Sequence, residues 1–336
     1  METPIRVVQY GIGAIGSALT KLLVAKKWAK IVGAVDVDKE KAGRDLGVVA
    51  GLGRKLDVLV SPSLENALPK TEADVVVHST VSRLQLVWPQ IREAVERGLD
   101  VVSSCEELAY PWKRQPELAH EIDEFAKSHG SSVLGTGVNP GFVMDTLVLA
   151  LTAACQEIES IQVHRVVDAS TRRLPLQKKI GAGRTVEEFQ GKVAEGSMGH
   201  VGLEESMALM ADSLGWKLDI VTTSIQPVVA EKRTISPFLT VDPGRVTGLR
   251  QIARGARAGR EVLSLELEMY LGAAEPRDSV KIKGVPSLDV TFNGGVAGDA
   301  ATVAIMVNVL PRVLAARPGL VTMRDIPLPF AVFENA

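Results

Sequence analysis

Hydrophobic and polar positions follow one pattern in the first 140 residues of the chain and another pattern after them. In the first part, short apolar runs of strand type are separated by stretches with apolar residues at helical spacing. The strand-like runs are 5–10, 31–37, 75–78, 101–102 and 132–135, and the helical stretches are 14–27, 85–97 and 116–128. Strands that alternate with helices predict βαβ units and a parallel sheet, and hence the α/β class.

The remainder of the chain favours longer polar–apolar alternation. Strand-like stretches at 161–167, 218–229, 263–270 and 288–292 are interrupted by helical ones at 147–154, 186–195 and 203–214. This pattern predicts an α+β domain with a mostly antiparallel or mixed sheet. A strong helical stretch at 299–315 follows, and Pro318 and Gly319 end it. We therefore predict three segments, with domains at 1–140 and 141–298 and a terminal helix and tail at 299–336.

Composition narrows the class of protein. The 336 residues are 46% hydrophobic and 23% charged, which is enough for an ordinary globular core. Lys and Arg total 38 against 40 Asp and Glu, so no basic excess points to nucleic acid. Two cysteines cannot build a disulfide framework, and no apolar run is long enough for a membrane span. Without a secretory pattern at the N-terminus, we expect a cytoplasmic protein that binds neither nucleic acid nor membrane.

A glycine motif lies between the first strand-like run and the first helical stretch. Gly11, Gly13 and Gly16 form G-x-G-x-x-G, with Ala14 and Ile15 inside the motif. The first glycine permits a tight turn, the second lets backbone approach a pyrophosphate, and the third allows close helix–strand packing. The helix N-terminus then presents N–H donors to the phosphates. The motif in this context predicts a Rossmann dinucleotide-binding domain.

An acidic residue follows the second strand-like run. Asp36 stands about 20 residues beyond the motif, where a carboxylate binds the ribose hydroxyls of the cofactor. A carboxylate there favours NAD(H), because it would repel a 2′-phosphate. Lys39, Lys41 and Arg44 are close in sequence, so NADP(H) stays open, although these cations also fit a solvated surface.

Candidate reacting groups follow the other strands, since ligands of such folds bind at the carboxyl ends of the strands. His78, Ser79 and Thr80 follow the VVV run and are placed to meet the nicotinamide end of the cofactor, although His78 also fits a buried structural role. Asn139 belongs to the segment after the run 132–135, and we assign it to the cofactor site as well. Asn139 also suits a helix N-cap with Pro140 in the first turn.

Glu106 and Glu107 follow the run 101–102 and are the predicted catalytic pair. A carboxylate holds an ammonium or iminium ion by a charge-assisted hydrogen bond, and partial desolvation lets it move protons to or from an amine. The residue type therefore points to C–N rather than C–O chemistry. The alternative is that both side chains cap or solvate the next turn, and the residues do not tell the two glutamates apart.

The chain resembles the native amine dehydrogenases and 2,4-diaminopentanoate dehydrogenases, which share a dihydrodipicolinate-reductase-like nucleotide-binding domain. The resemblance rests on segments across nearly the whole chain, namely VVQYGIGAIGSAL, VGAVDVDKEKAGRDLG, DVVVHST, VVSSCEELAYPW, VLGTGVNPGFVMDTL, GHVGLEES and ARPGLVTMRDIP. It implies NAD(P)-dependent reductive amination of a small ketone or aldehyde with ammonia, and the reverse oxidative deamination. It also implies an amine-binding glutamate within residues 103–108, a homodimer, and a terminal helix that packs on the Rossmann domain.

Four further residues are candidates for the substrate pocket. Phe142 would form a wall, Arg165 would meet a substrate carboxylate, and His200 and Asn293 would supply polar groups. Each of the last three also suits an ordinary structural role. No Cys/His cluster of zinc type is present, so no metal is expected. Two alternatives to a general amine dehydrogenase stay open, a 2,4-diaminopentanoate dehydrogenase of amino-acid catabolism and a non-catalytic NAD(H)-binding sensor.

Overall fold

The computed structural model describes residues 3–68 and 72–331. The chain forms two compact units, of which the first combines Met1–Phe142 with Ala297–Ala336 and the second is Val143–Val296. No helix in the described ranges is both long enough and apolar enough to cross a bilayer.

Strands and helices alternate through the first 142 residues. In chain order they are β1 Ile5–Tyr10, α1 Ala14–Val24, β2 Ala29–Val35, α2 Leu46–Val49, β3 Val60–Ser61, α3 Leu64–Ala67, β4 Val75–His78, α4 Leu84–Val95, β5 Asp100–Ser103, a 3₁₀ turn Glu106–Leu108, α5 Pro116–Ser128 and β6 Ser132–Gly135.

Helices and long strands make up the second unit. They are α6 Thr146–Thr152, β7 Glu157–Asp168, α7 Leu174–Lys179, α8 Val186–Ala194, α9 Leu203–Ser213, β8 Ile220–Val229, β9 Thr234–Ile235, β10 Thr240–Val241, β11 Val246–Arg257, β12 Arg260–Tyr270, β13 Arg277–Val285 and β14 Leu288–Asn293. The chain then returns to the first unit with α10 Gly298–Asn308, α11 Leu310–Val313 and β15 Gly319–Val321.

The first unit is a parallel sheet in the order β15-β6-β5-β4-β1-β2-β3. Strand order reverses beside β1, because β2 pairs with one of its edges and β4 with the other. In open α/β sheets the carboxyl ends of the strands at such a reversal form the ligand-binding crevice. This architecture confirms the predicted α/β class, and it places the glycine motif at the reversal point.

Both faces of this sheet are covered, which explains its continuous apolar runs. Val7 belongs to one core cluster with side chains of α1, α10 and α11, while its neighbour Val8 belongs to the opposite cluster with α4 and α5. Alternate side chains of a strand point to opposite faces, so each short strand contributes to two cores. Helix α10, near the end of the chain, packs against α1.

The second unit contains a mixed sheet in the order β14-β13-β7-β12-β11-β8. Strands β7 and β12 pair in parallel, whereas the other neighbours are antiparallel. On β12, Leu263, Leu265 and Leu267 are buried, and Glu266 and Glu268 between them are only half-buried. The alternation predicted for residues 263–270 therefore separates a face packed against α9 from a polar face.

Candidate functional site

The glycine motif forms the turn between β1 and α1 by two close backbone approaches. Gly11 has φ +84°, and a Cβ there would lie 2.4 Å from the carbonyl oxygen of Ser79. A Cβ on Gly16 would lie 1.9 Å from the carbonyl oxygen of Gly11. No side chain can be accommodated at either position without moving backbone, which accounts for two of the three glycines by packing alone.

Gly13 differs from the other two glycines because it faces open space. A Cβ on Gly13 would meet nothing within 4 Å, and its backbone angles suit any residue. Gly13 is also the N-cap of α1, and no side chain caps the first turn or brings a negative charge to it. Packing therefore does not explain the glycine at position 13, whereas close approach of a pyrophosphate to the backbone at a helix start would.

Asp36 follows β2 and ties the end of that strand to the glycine loop. Its Oδ2 accepts hydrogen bonds from the backbone N–H of Ile12 at 2.7 Å and from Nζ of Lys41 at 2.9 Å. Its Oδ1 accepts from the N–H of Asp38 at 2.9 Å. Burial opposes ionisation, but these donors outweigh it and hold the pKa of Asp36 below its ordinary value. The carboxylate is therefore a fixed negative charge beside the loop.

Two side chains support the loop, one of which the sequence analysis does not single out. Gln9, on buried strand β1, donates from Nε2 to the carbonyl oxygen of Gly11 at 3.0 Å. The hydroxyl of Ser79 donates to the same oxygen at 3.0 Å. Ser79, predicted as a cofactor ligand, thus supports the glycine loop directly. A glutamine within a continuous apolar run was the only sequence signal for Gln9, and it named no partner.

His78 ends β4 and is fully enclosed. Its Nδ1 lies 2.8 Å from Oγ of Ser103, and its Nε2 lies 2.8 Å from Oε1 of Gln90 and 3.0 Å from Oγ1 of Thr80. Burial lowers the pKa of His78 to about 4, and the hydrogen bond to Gln90 offsets this only in part. His78 is consequently neutral near pH 7 and links β4, β5 and α4. Thr80, by contrast, is exposed.

Glu107 is buried with both carboxylate oxygens engaged. Oε1 accepts from Nη1 of Arg83 at 2.7 Å, and Oε2 accepts from the N–H of Leu84 at 2.8 Å and from Nε2 of Gln115 at 3.0 Å. Burial raises the pKa of Glu107, but these donors outweigh it and the pKa lies below its ordinary value. Because Leu84 is the first residue of α4 and Arg83 its N-cap, Glu107 holds the start of that helix.

Glu106 begins the 3₁₀ turn after β5, at the carboxyl edge of the parallel sheet, and its side chain is half-buried. The preceding residue, Cys105, is almost fully buried, and burial together with the two neighbouring carboxylates raises the pKa of its thiol to about 12. A thiolate is therefore absent near pH 7. Of the two predicted catalytic glutamates, Glu106 is thus the half-buried one and Glu107 the buried one.

Asn139 and Phe142 belong to an irregular segment after β6. Asn139 is buried, Phe142 is half-buried, and the N–H of neighbouring Val138 donates to Oγ1 of Thr302 at 3.1 Å. No helix starts at Pro140, so the expectation that Asn139 caps a helix is wrong. The next helix, α6, begins at Thr146, and Asp145 caps it.

Arg165 lies on the buried face of β7 in the second unit. Its Nη1 donates to Oδ1 of Asp278 at 2.8 Å, and its Nη2 donates to the carbonyl oxygen of Val296 at 2.6 Å. Oδ2 of Asp278 accepts from the N–H of Val296. The pair clamps the backbone of Val296, so these two donors of Arg165 are engaged within the protein.

The other two predicted pocket residues of the second unit occupy different surroundings. His200 lies in the loop before α9, where its N–H donates to Oε1 of Gln251 at 2.7 Å and its carbonyl oxygen accepts from Nε2 of Gln251. It lines a cavity of about 50 Å³ with apolar side chains that include Leu249 and Leu267. Asn293 ends β14 and is exposed.

One group of metal-ligand type exists among the described residues. His164, Glu266 and Glu268 lie on the polar face of β7 and β12, with ligand atoms within 4.8 Å of one another. Arg250 on β11 forms an ion pair with Glu266, and its Nε lies 3.9 Å from Glu268. A cation therefore already pairs with Glu266, and we propose no metal there.

The comparisons with known proteins agree with this architecture. Residues 142–336 match the family of 2,4-diaminopentanoate dehydrogenase C-terminal domains, and residues 5–106 match the N-terminal domain of dihydrodipicolinate reductase. The 2,4-diaminopentanoate dehydrogenase of Acetoanaerobium sticklandii is 37% identical over 98% of this chain and 96% of its own. An amine dehydrogenase of Streptomyces virginiae is 25% identical over 96% of both chains.

Among solved structures, the amine dehydrogenase from Mycobacterium smegmatis superposes with a TM-score of 0.86 at 30% identity, over 97% of both chains. The predicted resemblance is thereby confirmed, as is the oxidoreductase class. The relative at 37% identity over 98% of the chain, together with the family match over residues 142–336, shows that the chain belongs to the 2,4-diaminopentanoate dehydrogenase family.

Proposed function

We propose that the protein is an NAD(P)-dependent amine dehydrogenase in which Glu106 handles the amine and its protons. The observation that carries this proposal is the half-buried carboxylate of Glu106 at the carboxyl edge of the sheet that carries the glycine loop. Its neighbour Glu107 is buried and holds the start of α4 through three donors, which suits a structural role. The reaction is reductive amination of a small ketone or aldehyde with ammonia, and the reverse oxidative deamination.

Residues of the first unit fit a dinucleotide. Gly11, Gly13 and Gly16, with Ala14 and Ile15 at the start of α1, would cradle the pyrophosphate, and Asp36 would accept from the ribose hydroxyls. Ser79 would hold the loop in shape, and Thr80 and Asn139 follow neighbouring strand ends. Neutral His78 supports this edge from inside. When bound, the nicotinamide supplies or accepts the hydride at C4.

Glu106 would act twice on the way to the amine. Its carboxylate takes a proton from ammonium, and the free ammonia adds to the carbonyl carbon of the substrate. The protonated carboxyl then returns that proton to the leaving hydroxyl, which departs as water and leaves an iminium ion. The carboxylate stabilises the iminium by its opposite charge until the carbon is reduced. Atoms balance, because one ammonia enters, one water leaves and the amine gains one hydride.

A carbonyl panel tests the proposal. Purified protein is mixed with NADH or NADPH, ammonium and small ketones or aldehydes, and cofactor oxidation is followed with and without ammonium. We expect oxidation that requires both carbonyl and ammonium, and amine as product. Tight cofactor binding without turnover of any carbonyl or amine would instead identify a non-catalytic sensor.

A second candidate substrate is 2,4-diaminopentanoate, which is favoured by the relative at 37% identity. A substrate carboxylate needs a cation, and Arg165 already serves Asp278 and Val296. Arg172 carries a positive charge close enough to lower the pKa of Arg165, so it is a second candidate for this contact. Oxidation of 2,4-diaminopentanoate, compared with 2-aminopentane, separates the two candidates, because only the first carries a carboxylate.

Two expected partners complete the proposal. Ammonia is the nitrogen donor, as the carboxylate chemistry of Glu106 requires. A homodimer remains a prediction for the assembly, and a molar-mass measurement by light scattering on the intact protein tests it.

A further inference from the structure

The ammonium of Lys41 lies directly on the carboxylate assigned to the cofactor ribose. Its Nζ is 2.9 Å from Oδ2 of Asp36 and 3.5 Å from Oδ2 of Asp38. The loop that carries Lys41 is held by hydrogen bonds from its own N–H to the carbonyl oxygen of Asp38 and from the N–H of Gly43 to Val60. The position of Lys41 relative to Asp36 is therefore built into the fold of the loop.

Asp36 cannot turn away from this position. The backbone N–H groups of Ile12 and Asp38 each bind one of its oxygens, so rotation of the carboxylate would break both bonds and leave the buried N–H of Ile12 without a partner. Its negative charge consequently stays at the ribose position whichever cofactor approaches. Alone, such a charge would repel a 2′-phosphate and restrict the protein to NAD(H).

Lys41 changes this balance because its charge is movable. Three-quarters of its side chain is covered, with 26% exposed, and burial opposes its charge, but the bonds to Asp36 and Asp38 outweigh this and raise the pKa of Lys41. A lysine ammonium on a four-carbon stem can exchange one anion for another without backbone movement. Nearby Lys39 is exposed, and Arg44 is exposed with Nη1 3.4 Å from the carbonyl oxygen of Glu40.

We propose that Lys41 determines the choice between NAD(H) and NADP(H), and that it gives the protein access to both. With NAD(H), Lys41 stays on Asp36 and leaves that carboxylate to the ribose hydroxyls. With NADP(H), its ammonium transfers to the 2′-phosphate and compensates the repulsion from Asp36. This inference rests on the proposed binding of a nicotinamide dinucleotide, and it adds the residue that selects between the two forms.

Isothermal titration with NADH and NADPH tests the inference without turnover. Lys41→Met removes the charge and keeps the length of the side chain, and Lys39→Met makes the same change two residues away on the exposed surface. We expect Lys41→Met to weaken the affinity for NADPH about tenfold or more, because a charge-assisted contact is lost. The affinity for NADH should weaken less than about threefold. Lys39→Met should leave the ratio of the two dissociation constants unchanged, and Lys41→Arg should preserve NADPH binding.

The outcomes separate this inference from the proposed function. The role of Lys41 is overturned if Lys41→Met leaves the ratio of the NADPH and NADH dissociation constants unchanged, or if Lys39→Met changes it equally. In either case, NADH binding to the wild type still supports the proposed function. Wild-type protein that binds NADH and not NADPH also overturns it. Failure of the wild type to bind either dinucleotide overturns the proposed function itself. Thermal unfolding of each variant without cofactor shows that a weaker affinity does not come from misfolding.

Discussion

The glycine loop and the turn after β5 both contain a buried carboxylate, but the two carboxylates hold different things. Asp36 binds a backbone N–H of the loop, and beside it Gly13 leaves open space at the start of α1. Glu107 binds the first N–H of α4 and two side chains, so it joins the turn after β5 to that helix. We assign the first carboxylate to the proposed cofactor site, whereas the second holds the start of α4.

Two identical residues that are adjacent in sequence need not share a role. Glu106 and Glu107 carry the same carboxylate one residue apart, yet only Glu107 is enclosed. Glu107 accepts a hydrogen bond from the first N–H of α4, a buried donor that needs a partner. The following predictions test whether the two regions differ as described.

The largest effect on stability is expected from Gly16→Ala. A methyl group would lie 1.9 Å from the carbonyl oxygen of Gly11, which is backbone and cannot turn aside. We expect a loss of about 3 kcal/mol or more in the free energy of unfolding, measured by urea denaturation. Gly13→Ala is the matched control, because its methyl group meets open space.

The control should separate packing from ligand binding. Gly13→Ala should change the free energy of unfolding by less than about 1 kcal/mol. It should weaken the affinity for NADH at least about tenfold, since the methyl group would occupy the space proposed for the pyrophosphate. Equal destabilisation by both substitutions would contradict the distinction between the two glycines.

A smaller effect concerns His78, which lies between the two regions. Its pKa falls from the ordinary value of 6.5 to about 4 on folding, so between these pH values the unfolded chain binds a proton that the folded protein does not. Stability from neutral His78 is complete above pH 6.5 and is lost as pH falls towards 4, by about 3 kcal/mol in total.

His78→Gln removes this titration. The stability difference between wild type and His78→Gln, measured by urea unfolding at both ends of the pH range, should shrink by about 3 kcal/mol from pH 7 to pH 4. Titration of all other groups cancels in the difference. A difference that does not vary with pH would show that His78 is not buried in its neutral form.

The smallest effect on stability is expected from Glu107→Gln. The substitution removes the ion pair with Arg83 and turns an amide N–H₂ towards other donors, so we expect a loss of about 1–3 kcal/mol. Glu117→Gln, on the exposed first turn of α5, should cost less than about 1 kcal/mol. Equal stability of the two variants would contradict a framework role for Glu107.

Much of the first unit could be predicted because its signals are local. Runs such as 5–10 and 132–135 are short, apolar and bounded by turns, and the structure has β1 and β6 at those bounds. The glycine motif likewise depends on residues close in sequence. A fixed spacing along the chain is enough to predict this kind of structure.

The rest depends on contacts between residues far apart in sequence. Strand β11 contains the sequence RQIARGAR, whose three arginines and one glycine hide its alternation. The contact that separates Glu107 from Glu106 joins residues 84 and 107, and the pair that engages Arg165 joins residues 165 and 278. In each contact the two residues lie too far apart to appear together in a short sequence pattern. The sequence therefore could not distinguish the two glutamates, and it predicted Arg165 as a pocket residue.

The role of Glu106 is tested most directly by the turnover number of Glu106→Gln beside that of Glu107→Gln, with saturating carbonyl, ammonium and cofactor. If Glu106 transfers the protons, we expect Glu106→Gln to lower the turnover number about 10²–10⁴-fold. The affinity of this variant for NADH and its free energy of unfolding should stay near those of the wild type. Glu107→Gln, although less stable, should retain turnover within about tenfold of wild type. Turnover near wild type in Glu106→Gln would contradict the role of Glu106 in handling the amine and its protons.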